Sequence, residues 1–444
     1  MSKMVRTAAI ILCIVALVLC KDFYVAEIEN AGYNKLNTIK NLPGVDWWIE
    51  IGDKLAILGK SLEKMLSAHN IDFSHSQLSK SDHQEFLLLR WREPVTLNAR
   101  EAQELISHRG YSIFSITEPY TFNVEDVKRL VPSARDPIAM RFEPNTVLMR
   151  YTENNESYNK TVSIKNPTIE EMLAELSESR WFSQVTTLAN FNRYTYGDDI
   201  RNSEEWIIGY LDGIGNGNIQ VTSQQYSIGS RQAWNVIARI DGTQNPDDWY
   251  ILGAHYDSIS ERPTTLAPGA EDDGSGSAAL LEMARVFSNN PPPSTVFLMW
   301  FSGEEQGLYG SDFQAGKIVS DGDKNKVKLV MCMDMVAYSV STTNLRVLLE
   351  TYRQFAAILD PFIKAAETYT SMGPVATTYS PFGSDHMSFL KRDMPTLLAI
   401  DNDWSRYSHY HKTTDTPDKL TKAMATEIIK MNVAAVATVL GYGQ

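Results

Sequence analysis

Cysteine is scarce in this chain of 444 residues, which contains only three. Two of them, Cys13 and Cys20, lie in an apolar stretch near the N-terminus, so Cys332 stands alone in the remainder. An intrachain disulfide is therefore excluded there, and with it the disulfide-stapled scaffolds of small secreted domains. A chain long enough for two domains can bury a core that is stable without disulfides.

Basic residues are also too few to favour a nucleic-acid partner. Lysine and arginine total 41 against 54 aspartates and glutamates, which gives a formal net charge of −13. Binding to phosphate backbones requires clustered positive charge, so this balance excludes that class of partner. The 43% of hydrophobic and 21% of charged residues are ordinary for a globular protein.

The longest unbroken apolar run is short for a membrane span, which needs about 20 residues. It extends from Ala8 to Cys20, and Lys3 and Arg6 give it a basic start. This pattern predicts a signal peptide over residues 1–20, cleaved near Cys20. The mature protein is then expected to be secreted and free of the membrane, with an uncut signal anchor as the alternative.

The next part of the chain, residues 21–165, has no recognisable catalytic motif. Its patterns predict strands at Phe86–Trp91 and Tyr111–Ile116 and a helix at Asn98–His108, which together make a small α/β module. We expect this module to be a propeptide or a permanent accessory domain, and the sequence favours neither role.

A polar stretch at 152–160 separates this module from the domain that follows. It contains two sequons, which begin at Asn155 and Asn159 and predict glycosylation in a eukaryotic secretory route.

Strand and helix patterns alternate through residues 166–444. A helix from Ile169 to Ser177, which Thr168 is expected to cap, opens this domain, and a helix from Lys419 to Leu440 closes it. Apolar strands that alternate with helices predict a mixed, mostly parallel central sheet with helices on both faces. The other predicted elements are strands at Ile219–Ile228, Trp234–Ile240, Trp249–Ala254, Thr295–Phe301, Val327–Met333, Leu345–Leu349 and Thr396–Ile400 and a helix at Ser277–Phe287.

Side chains that can bind metal follow four of these strands. Ligands bind at the carboxyl ends of strands in such sheets, and imidazole and carboxylate are usual ligands of catalytic zinc. A pair of zinc ions needs one bridging carboxylate and further ligands on each side. The candidates are His255, Asp272 within the sequence PGAEDDGSG, Glu304, Glu305, Asp334 and His411. We therefore predict a site for two zinc ions per chain.

Glu304 and Glu305 are neighbours on a loop that leaves a strand, so their side chains can point in different directions. One carboxylate can then bind metal while the other acts as general base toward water and passes the proton to the leaving amine. Asp257, two residues after His255, is predicted to accept the imidazole N–H and to fix the tautomer of the ring.

These residues belong to five short motifs. The motifs are His255-Tyr256-Asp257-Ser258, Pro268 to Asp273, Glu304-Glu305, Met333-Asp334-Met335 and His411 to Thr416. On these motifs the chain, from about Asn166 to its C-terminus, resembles the secreted bacterial leucyl aminopeptidases, which are co-catalytic dizinc exopeptidases of clan MH. The resemblance implies the zinc-exopeptidase fold for this domain.

The resemblance also implies a role for each motif residue. One zinc ion would be held by His255, Asp272 and Asp334, and the other by Asp272, Glu305 and His411. The peptide bond between Asp272 and Asp273 would be cis, and Glu304 would be the general base for attack by metal-bound hydroxide. The protein expected is a secreted, monomeric aminopeptidase made as a zymogen. Its substrates would be peptides with a free N-terminus, with a preference for apolar residues such as leucine.

The substrate pocket departs from the family pattern. The segment before the Ser-Asp-His motif lacks the family's disulfide, and Tyr410 replaces a smaller aliphatic residue before the last ligand. Met335 and Phe382 are the predicted apolar walls of the pocket. Asp385 and His386, in the Ser-Asp-His motif, are predicted to support the ligands without binding metal.

Three other functions stay open. A dipeptidase or carboxypeptidase of the same family would keep the same zinc ligands. A glutaminyl cyclase shares the fold but works with one zinc, so the set of five ligands argues against it. An inactive binding protein would be expected to lose ligands or the base, and both Glu304 and Glu305 are present.

Overall fold

The computed structural model describes most of the C-terminal part of the chain and shorter stretches of the N-terminal part. The described residues are 22–28, 38–52, 54–78, 84–90, 102–108, 111–117, 138–140, 146–150, 164–215, 217–379, 381 and 383–443. The expected signal peptide, the stretch at 152–160 with its two sequons, and Phe382 lie outside these ranges. The chain divides into two compact units, residues 1–156 with 378–382 and residues 157–377 with 383–444.

The first unit consists mainly of strands within its described residues. These are β1 (Asp22–Glu27), β2 (Val45–Gly52), β3 (Lys54–Gly59), β4 (Phe73–Gln77), β5 (Gln84–Arg90), β6 (Ala102–His108), β7 (Tyr111–Thr117), β8 (Ile138–Met140) and β9 (Thr146–Arg150), together with the helix α1 (Glu63–Ala68). They form a five-stranded sheet in the order β4-β1-β3-β2-β9 and a four-stranded sheet in the order β6-β7-β5-β8. Tyr24, Leu55 and Ile57 are buried in its apolar core.

The helix predicted over Asn98–His108 is wrong where the structure describes it, because Ala102–His108 is strand β6. This strand pairs antiparallel with β7, and both Leu105 and Ile106 are buried. The spacing of the apolar residues favours a helix, but strand pairing and burial stabilise the extended conformation instead. The strands predicted on either side are confirmed as β5 and β7, with ends shifted by one or two residues. The described module is mainly β rather than α/β.

The second unit contains one eight-stranded sheet. Its strands are β10 (Gln220–Ile228), β11 (Arg231–Ile240), β12 (Asn245–His255), β13 (Ser294–Phe301), β14 (Val327–Met333), β15 (Val347–Glu350), β16 (Ala376–Thr378) and β17 (Thr396–Asp401). The order is β10-β11-β13-β12-β14-β17-β15-β16. The four central strands, β13, β12, β14 and β17, run parallel, and antiparallel strands flank them. The predicted mixed, mostly parallel sheet is confirmed.

The helices of the second unit pack against this sheet or against one another. They are α2 (Pro167–Ala174), α3 (Glu178–Ala189), α4 (Ile200–Ile214), α5 (Gly274–Asn289), α6 (Tyr309–Ser320), α7 (Asp360–Tyr369), α8 (His386–Leu390) and α9 (Lys422–Leu440), with 3-10 turns at Lys324–Lys326, Arg353–Leu359, Trp404–Arg406 and Pro417–Lys419. The N-cap of α2 is Asn166 and not Thr168 as predicted. Its side chain accepts hydrogen bonds from the amides of Thr168 and Ile169, because Pro167 occupies the first helical position and the cap must precede it.

Helix α9 is the one helix of the described part that is long and apolar enough to cross a membrane. However, 72% of its apolar window is buried inside the protein, as expected of a core helix. It ends at Gly441, whose φ of 87° is the left-handed conformation that commonly closes a helix.

Three adjacent parallel strands deliver side chains to one edge of the sheet. His255 is the last residue of β12, and Asp334 follows directly on β14. Two residues separate the end of β13 from Glu304 and Glu305. Because β12 lies between β13 and β14, the carboxyl ends of these strands meet where the sequence placed the metal ligands.

Candidate metal centre

His255 is completely buried at the end of β12 and faces two carboxylates. Its Nε2 lies 3.2 Å from Oδ1 of Asp272 and 3.6 Å from Oδ1 of Asp334. Burial by itself lowers the pKa of this imidazole, but the charge of Glu304 and the nearby carboxylates raise it well above its ordinary value. His255 therefore lies in a strongly negative environment that attracts cations.

His411 lies on the opposite side of Asp272. Its Nε2 is 2.8 Å from Oδ2 of Asp272 and 2.8 Å from Oε2 of Glu305. Asp272 thus directs one carboxylate oxygen toward each histidine, which is the arrangement expected of a bridging ligand. The structure brings together all five predicted ligands, His255, Asp272, Glu305, Asp334 and His411.

The structure adds Asp273, which the sequence analysis treated only as the residue after the bridge. Two groups of potential ligand atoms lie within 4.8 Å of one another: His255, Asp273 and Asp334 form one, and Asp272, Glu305 and His411 form the other. One oxygen of Asp273 accepts hydrogen bonds from the amides of Gly276 and Met335, and the other is buried without a hydrogen bond. The peptide bond between Asp272 and Asp273 is cis, as the resemblance implied.

The residues present fit zinc. Besides the second oxygen of Asp273, four buried atoms of the predicted ligands lack a hydrogen bond of good geometry, namely His255 Nε2, Asp272 Oδ2, Glu305 Oε1 and Asp334 Oδ1. Zinc bonds of about 2.0–2.2 Å at tetrahedral angles place neighbouring ligand atoms about 3.3 Å apart. The separations of 3.2 and 3.6 Å around His255 match this spacing, and those around His411, both 2.8 Å, are shorter than it.

The acidic residues of the centre differ in how firmly they hold a proton. Burial raises the pKa of Glu304 well above its ordinary value and that of Glu305 to about 7. Burial also acts to raise the pKa of Asp272, but hydrogen bonds and positive charge from His255 and His411 lower it below its ordinary value. Asp272 is therefore held as a carboxylate, whereas Glu304 has a high affinity for a proton.

The carboxylate of Asp257 lies 3.5 Å from the imidazole of His255 that it was predicted to bind, and its shorter contacts are with other groups. Nδ1 of His255 lies 3.1 Å from the backbone oxygen of Asp257 and 3.5 Å from its carboxylate, so the carbonyl is the closer partner. The carboxylate instead accepts hydrogen bonds from the amides of Glu304 and Glu305 at 3.3 Å and from the hydroxyl of Thr195 at 2.8 Å. Asp257 thus orients the loop that carries both glutamates.

Asp415 anchors the segment that contains Asp272, and the sequence analysis did not identify it. Its carboxylate accepts hydrogen bonds from the amides of Glu271 and Asp272 at 2.9 and 3.1 Å and from the hydroxyl of Tyr407 at 2.6 Å. Burial raises its pKa to about 6. Asp415 belongs to the His411 to Thr416 motif, four residues after a ligand, and this position in the sequence could have identified it.

The predicted pocket residues have different surroundings. Met335 follows Asp334, is 2% exposed, and has a φ of 49°, while Tyr410 stacks its ring 4.0 Å from that of His411. Phe382 lies outside the described residues. Among the pocket residues that the structure describes, Tyr410 has its ring against that of a predicted ligand.

Asp385 and His386 are buried at the start of α8. Nε2 of His386 lies 3.9 Å from Oε2 of Glu350. Burial raises the pKa of Asp385 to about 7 and lowers that of His386 to about 3. Within the described residues, His386 belongs to neither group of clustered ligand atoms, and its role in supporting the ligands stays a prediction.

Acid is expected to destabilise the fold through His386. Its pKa is about 3 in the folded protein and about 6.5 when unfolded, so only the unfolded chain takes up this proton between those values. The stabilisation is complete above pH 6.5 and is lost as the pH falls toward 3. Between pH 7 and 5 the free energy of unfolding of the wild type should fall by about 2 kcal/mol more than that of His386→Gln. Denaturant unfolding of both proteins across this range measures the difference, and parallel curves would contradict it.

Comparison with known proteins places the centre in a family. The model of Peptidase family M28 matches residues 235–436. Leucine aminopeptidase 1 of Neurospora crassa is 31% identical over 288 residues, which cover 60% of this chain and 69% of that protein. The chain belongs to peptidase family M28. A probable zinc metalloprotease of Leptosphaeria maculans is 34% identical over 172 residues, which cover 34% of this chain and only 39% of that protein.

Solved structures resemble this M28 chain in fold. The LapA aminopeptidase of Legionella pneumophila has a TM-score of 0.56 at 18% identity, over 82% of this chain and 100% of that one. A glutaminyl cyclase of an Acidobacteriales bacterium has a TM-score of 0.51 at 20% identity, over 65% of this chain and 99% of that one. At these identities the likeness concerns the fold alone.

The family establishes the enzyme class. The prediction of a zinc metallo-aminopeptidase is confirmed at the level of the M28 family, whose relatives carry the names aminopeptidase and zinc metalloprotease. The narrower resemblance to secreted bacterial enzymes stays a prediction, because the two curated relatives described above are fungal.

Proposed function

We propose that this M28 peptidase is an aminopeptidase that holds two zinc ions and prefers apolar N-terminal residues such as leucine. The observation that supports it most is the position of Asp272, with one oxygen 3.2 Å from His255 and the other 2.8 Å from His411. One carboxylate between two imidazoles, each with a further carboxylate beside it, suits a metal pair better than a single ion.

The ligands divide between the two proposed ions. One ion would be held by His255, Asp272 and Asp334, and the other by Asp272, Glu305 and His411. Asp273 offers a ligand atom to the first group and has one oxygen buried without a hydrogen bond, so it is an additional candidate on that side. When bound, zinc polarises the scissile carbonyl and makes water acidic enough to react near neutral pH.

Glu304 is the proposed general base and acid. It is partly accessible at the edge of the cluster, and its raised pKa gives it the affinity needed to take a proton from the attacking water. The same carboxyl would then donate that proton to the leaving amine. Its neighbour Glu305 lies against His411 instead, so the two glutamates have separate tasks.

The substrate should present a free α-amine. The centre contains several carboxylates, including Asp272, Asp273, Glu305 and Asp334, whose oxygens can accept hydrogen bonds from the N–H groups of a free amine, which a blocked terminus largely lacks. Peptides with a free N-terminus are therefore the proposed substrates.

Hydrolysis of leucyl-anilide compared with N-acetyl-leucyl-anilide tests this proposal. We expect the acetylated compound to react more slowly by about 10³-fold or more, because the site's polar groups lose their partner. A dipeptide with a blocked N-terminus and a free C-terminus, and a glutaminyl peptide assayed for ring closure, serve as the alternative substrates. Faster reaction with either of them than with leucyl-anilide would replace the proposal with carboxypeptidase or glutaminyl cyclase activity.

The remaining features of the protein are proposed from the sequence alone. Residues 1–20 would be a signal peptide, residues 21–165 a propeptide or accessory domain, and residues 166–444 the peptidase domain. The mature enzyme would be a secreted monomer, glycosylated at Asn155 or Asn159 if residues 21–165 are retained. N-terminal sequencing of the secreted enzyme tests the two cleavages, since a start near residue 21 would exclude a removed propeptide.

A further inference from the structure

A short segment outside the part matched by the family model contacts three loops of the metal centre. Residues 193–195 lie between α3 and α4, some 40 residues before the match begins at residue 235. None of the sequence motifs includes them. Two of their side chains, Arg193 and Thr195, are almost entirely buried.

Among the described residues, the guanidinium of Arg193 donates its hydrogen bonds to backbone carbonyls. Its Nε donates to the oxygen of Tyr256 at 2.7 Å, and its Nη2 donates to that of Gly269 at 2.7 Å. Its Nη1 donates to the oxygens of Leu188 at 2.6 Å and Pro268 at 2.7 Å. The guanidinium therefore joins the turn that follows His255 to the loop that precedes Asp272.

A fully buried cation without a paired carboxylate is costly to place in a protein. Arg193 is 0% exposed, and it forms no ion pair among the residues that the structure describes. Burial lowers its pKa to about 10, so it stays protonated at neutral pH. The aspartates that act on it electrostatically all belong to the metal centre or its supports: Asp415, Asp273, Asp257 and Asp272.

The loop around the guanidinium is tightly packed. Gly269 has a φ of 48°, and a Cβ added there would lie 2.4 Å from the oxygen of Asp272 and 3.0 Å from Nη2 of Arg193. The backbone beside the proposed bridge thus closes around the arginine, and a larger residue at position 269 would separate them.

Thr195 holds the third loop. Its hydroxyl donates to Oδ2 of Asp257 at 2.8 Å and accepts from the amide of Gly303 at 3.0 Å. Asp257 in turn accepts from the amides of Glu304 and Glu305. Three consecutive amides of the Glu-Glu loop are therefore bound to one hydroxyl and one carboxylate.

We propose that Arg193 and Thr195 are positioning residues that fix the loops of His255, Asp272 and Glu304–Glu305 relative to one another. This inference rests on the proposed function, because the two side chains are proposed to support zinc binding and to orient the general base. Arg193 sets the distance between the first two loops, and Thr195 sets the position of the third through Asp257.

The test compares Thr195→Val, Thr195→Ser and the wild type at saturating and limiting zinc. Valine keeps the shape of threonine but removes the hydroxyl, whereas serine retains it. Loss of a group that orients ligands typically costs 10- to 100-fold in metal affinity or activity. We expect Thr195→Val to weaken zinc binding, measured by competition with a chromophoric chelator, by about 10- to 100-fold. At saturating zinc its kcat on leucyl-anilide should fall about tenfold with little change in KM, and Thr195→Ser should recover most of both quantities.

Thr187→Val is the matched control. Thr187 lies on α3, and its hydroxyl donates only to the backbone oxygen of Ser183, at 2.9 Å on an exposed face. The same chemical change there should leave zinc affinity and kcat at wild-type values.

Arg193→Lys and Arg193→Met extend the test. Lysine keeps the charge but has a single nitrogen, which cannot reach four carbonyls in the fork geometry of arginine. We expect both variants to bind zinc more weakly than the wild type. If the arginine variants fail to fold, the threonine variants still test the positioning role through zinc affinity and kcat.

The outcomes distinguish a failure of the proposed function from a failure of the positioning role. A wild type that binds no zinc and leaves leucyl-anilide intact would contradict the proposed function itself. A wild type that does both, alongside a Thr195→Val variant of equal zinc affinity and kcat, would overturn only the positioning role. A lower melting temperature of Thr195→Val with unchanged zinc affinity and kcat would likewise show that Thr195 serves the fold alone.

Discussion

Replacement of Glu304 by glutamine is expected to lower kcat by about 10²- to 10⁴-fold while two zinc ions stay bound. Glutamine has nearly the same shape as glutamate, but it cannot take a proton from water. The change therefore removes the proposed general base and leaves the neighbouring ligands in place. The measurements are kcat and KM on leucyl-anilide and the zinc content by elemental analysis.

The position of Glu304 explains why kcat should fall while zinc stays bound. Neither group of clustered ligand atoms includes Glu304, whereas Glu305 lies 2.8 Å from His411. The backbone of Glu304 is fixed by the carboxylate of Asp257, so the substituted side chain should keep its position. KM should change by no more than about twofold, because the substrate is bound mainly by other groups.

Glu305→Gln is the matched comparison, since it makes the same change one residue later. We expect this variant to lose zinc from the His411 side, and to recover part of its activity when zinc is added in excess. If Glu304→Gln loses zinc and Glu305→Gln retains it, the assignment of the two glutamates is reversed. A Glu304→Gln variant that hydrolyses peptides as fast as the wild type would refute the general-base role.

Replacement of Asp272 by asparagine should weaken zinc binding, and the resulting loss of activity should be of the same order as that of Glu304→Gln. The asparagine side chain offers one oxygen and one NH₂ group, so one of the two histidines would face a hydrogen-bond donor in place of a carboxylate oxygen. Both ions are expected to bind more weakly, because each depends on this side chain. We expect kcat/KM to fall by about 10³-fold, which corresponds to a loss of about 4 kcal/mol of transition-state stabilisation by the metal.

An exposed aspartate provides the control for Asp272→Asn. Asp321 is paired with Lys317 on the surface at 2.6 Å, and such pairs contribute about 0–1 kcal/mol. Asp321→Asn should keep two zinc ions and full activity. Zinc content after dialysis and kcat/KM measure both variants, and an Asp272→Asn protein that still holds two ions at wild-type affinity would exclude the bridge.

Much of the catalytic domain could be predicted from the sequence because its central strands are buried on both faces. Runs such as Val327–Met333 and Thr295–Phe301 are apolar almost throughout, and the structure has them as β14 and β13 with nearly the same ends. His255 ends β12 and Asp334 directly follows β14, so the rule that parallel strands end at one edge was enough to group these two. Asp272 and His411 lie farther from any strand end, and the resemblance to a known family was needed to assign them.

Other features depend on contacts that sequence spacing does not encode. The segment at 102–108 has helical spacing of its apolar residues, but its pairing with β7 makes it a strand. Asp257 was assigned to His255 because the two are close in sequence, whereas its carboxylate accepts from the amides of a loop almost 50 residues away. Arg193 and Thr195 lie in no motif, and their partners are backbone groups brought near only by the fold.

Stepwise addition of zinc to chelator-treated enzyme, with activity on leucyl-anilide followed at each step, tests the paired centre most directly. The position of Asp272 between His255 and His411 predicts that activity rises until two zinc ions are bound per chain and is constant thereafter. Full activity without any divalent ion, or a maximum reached at a single ion per chain, would contradict it.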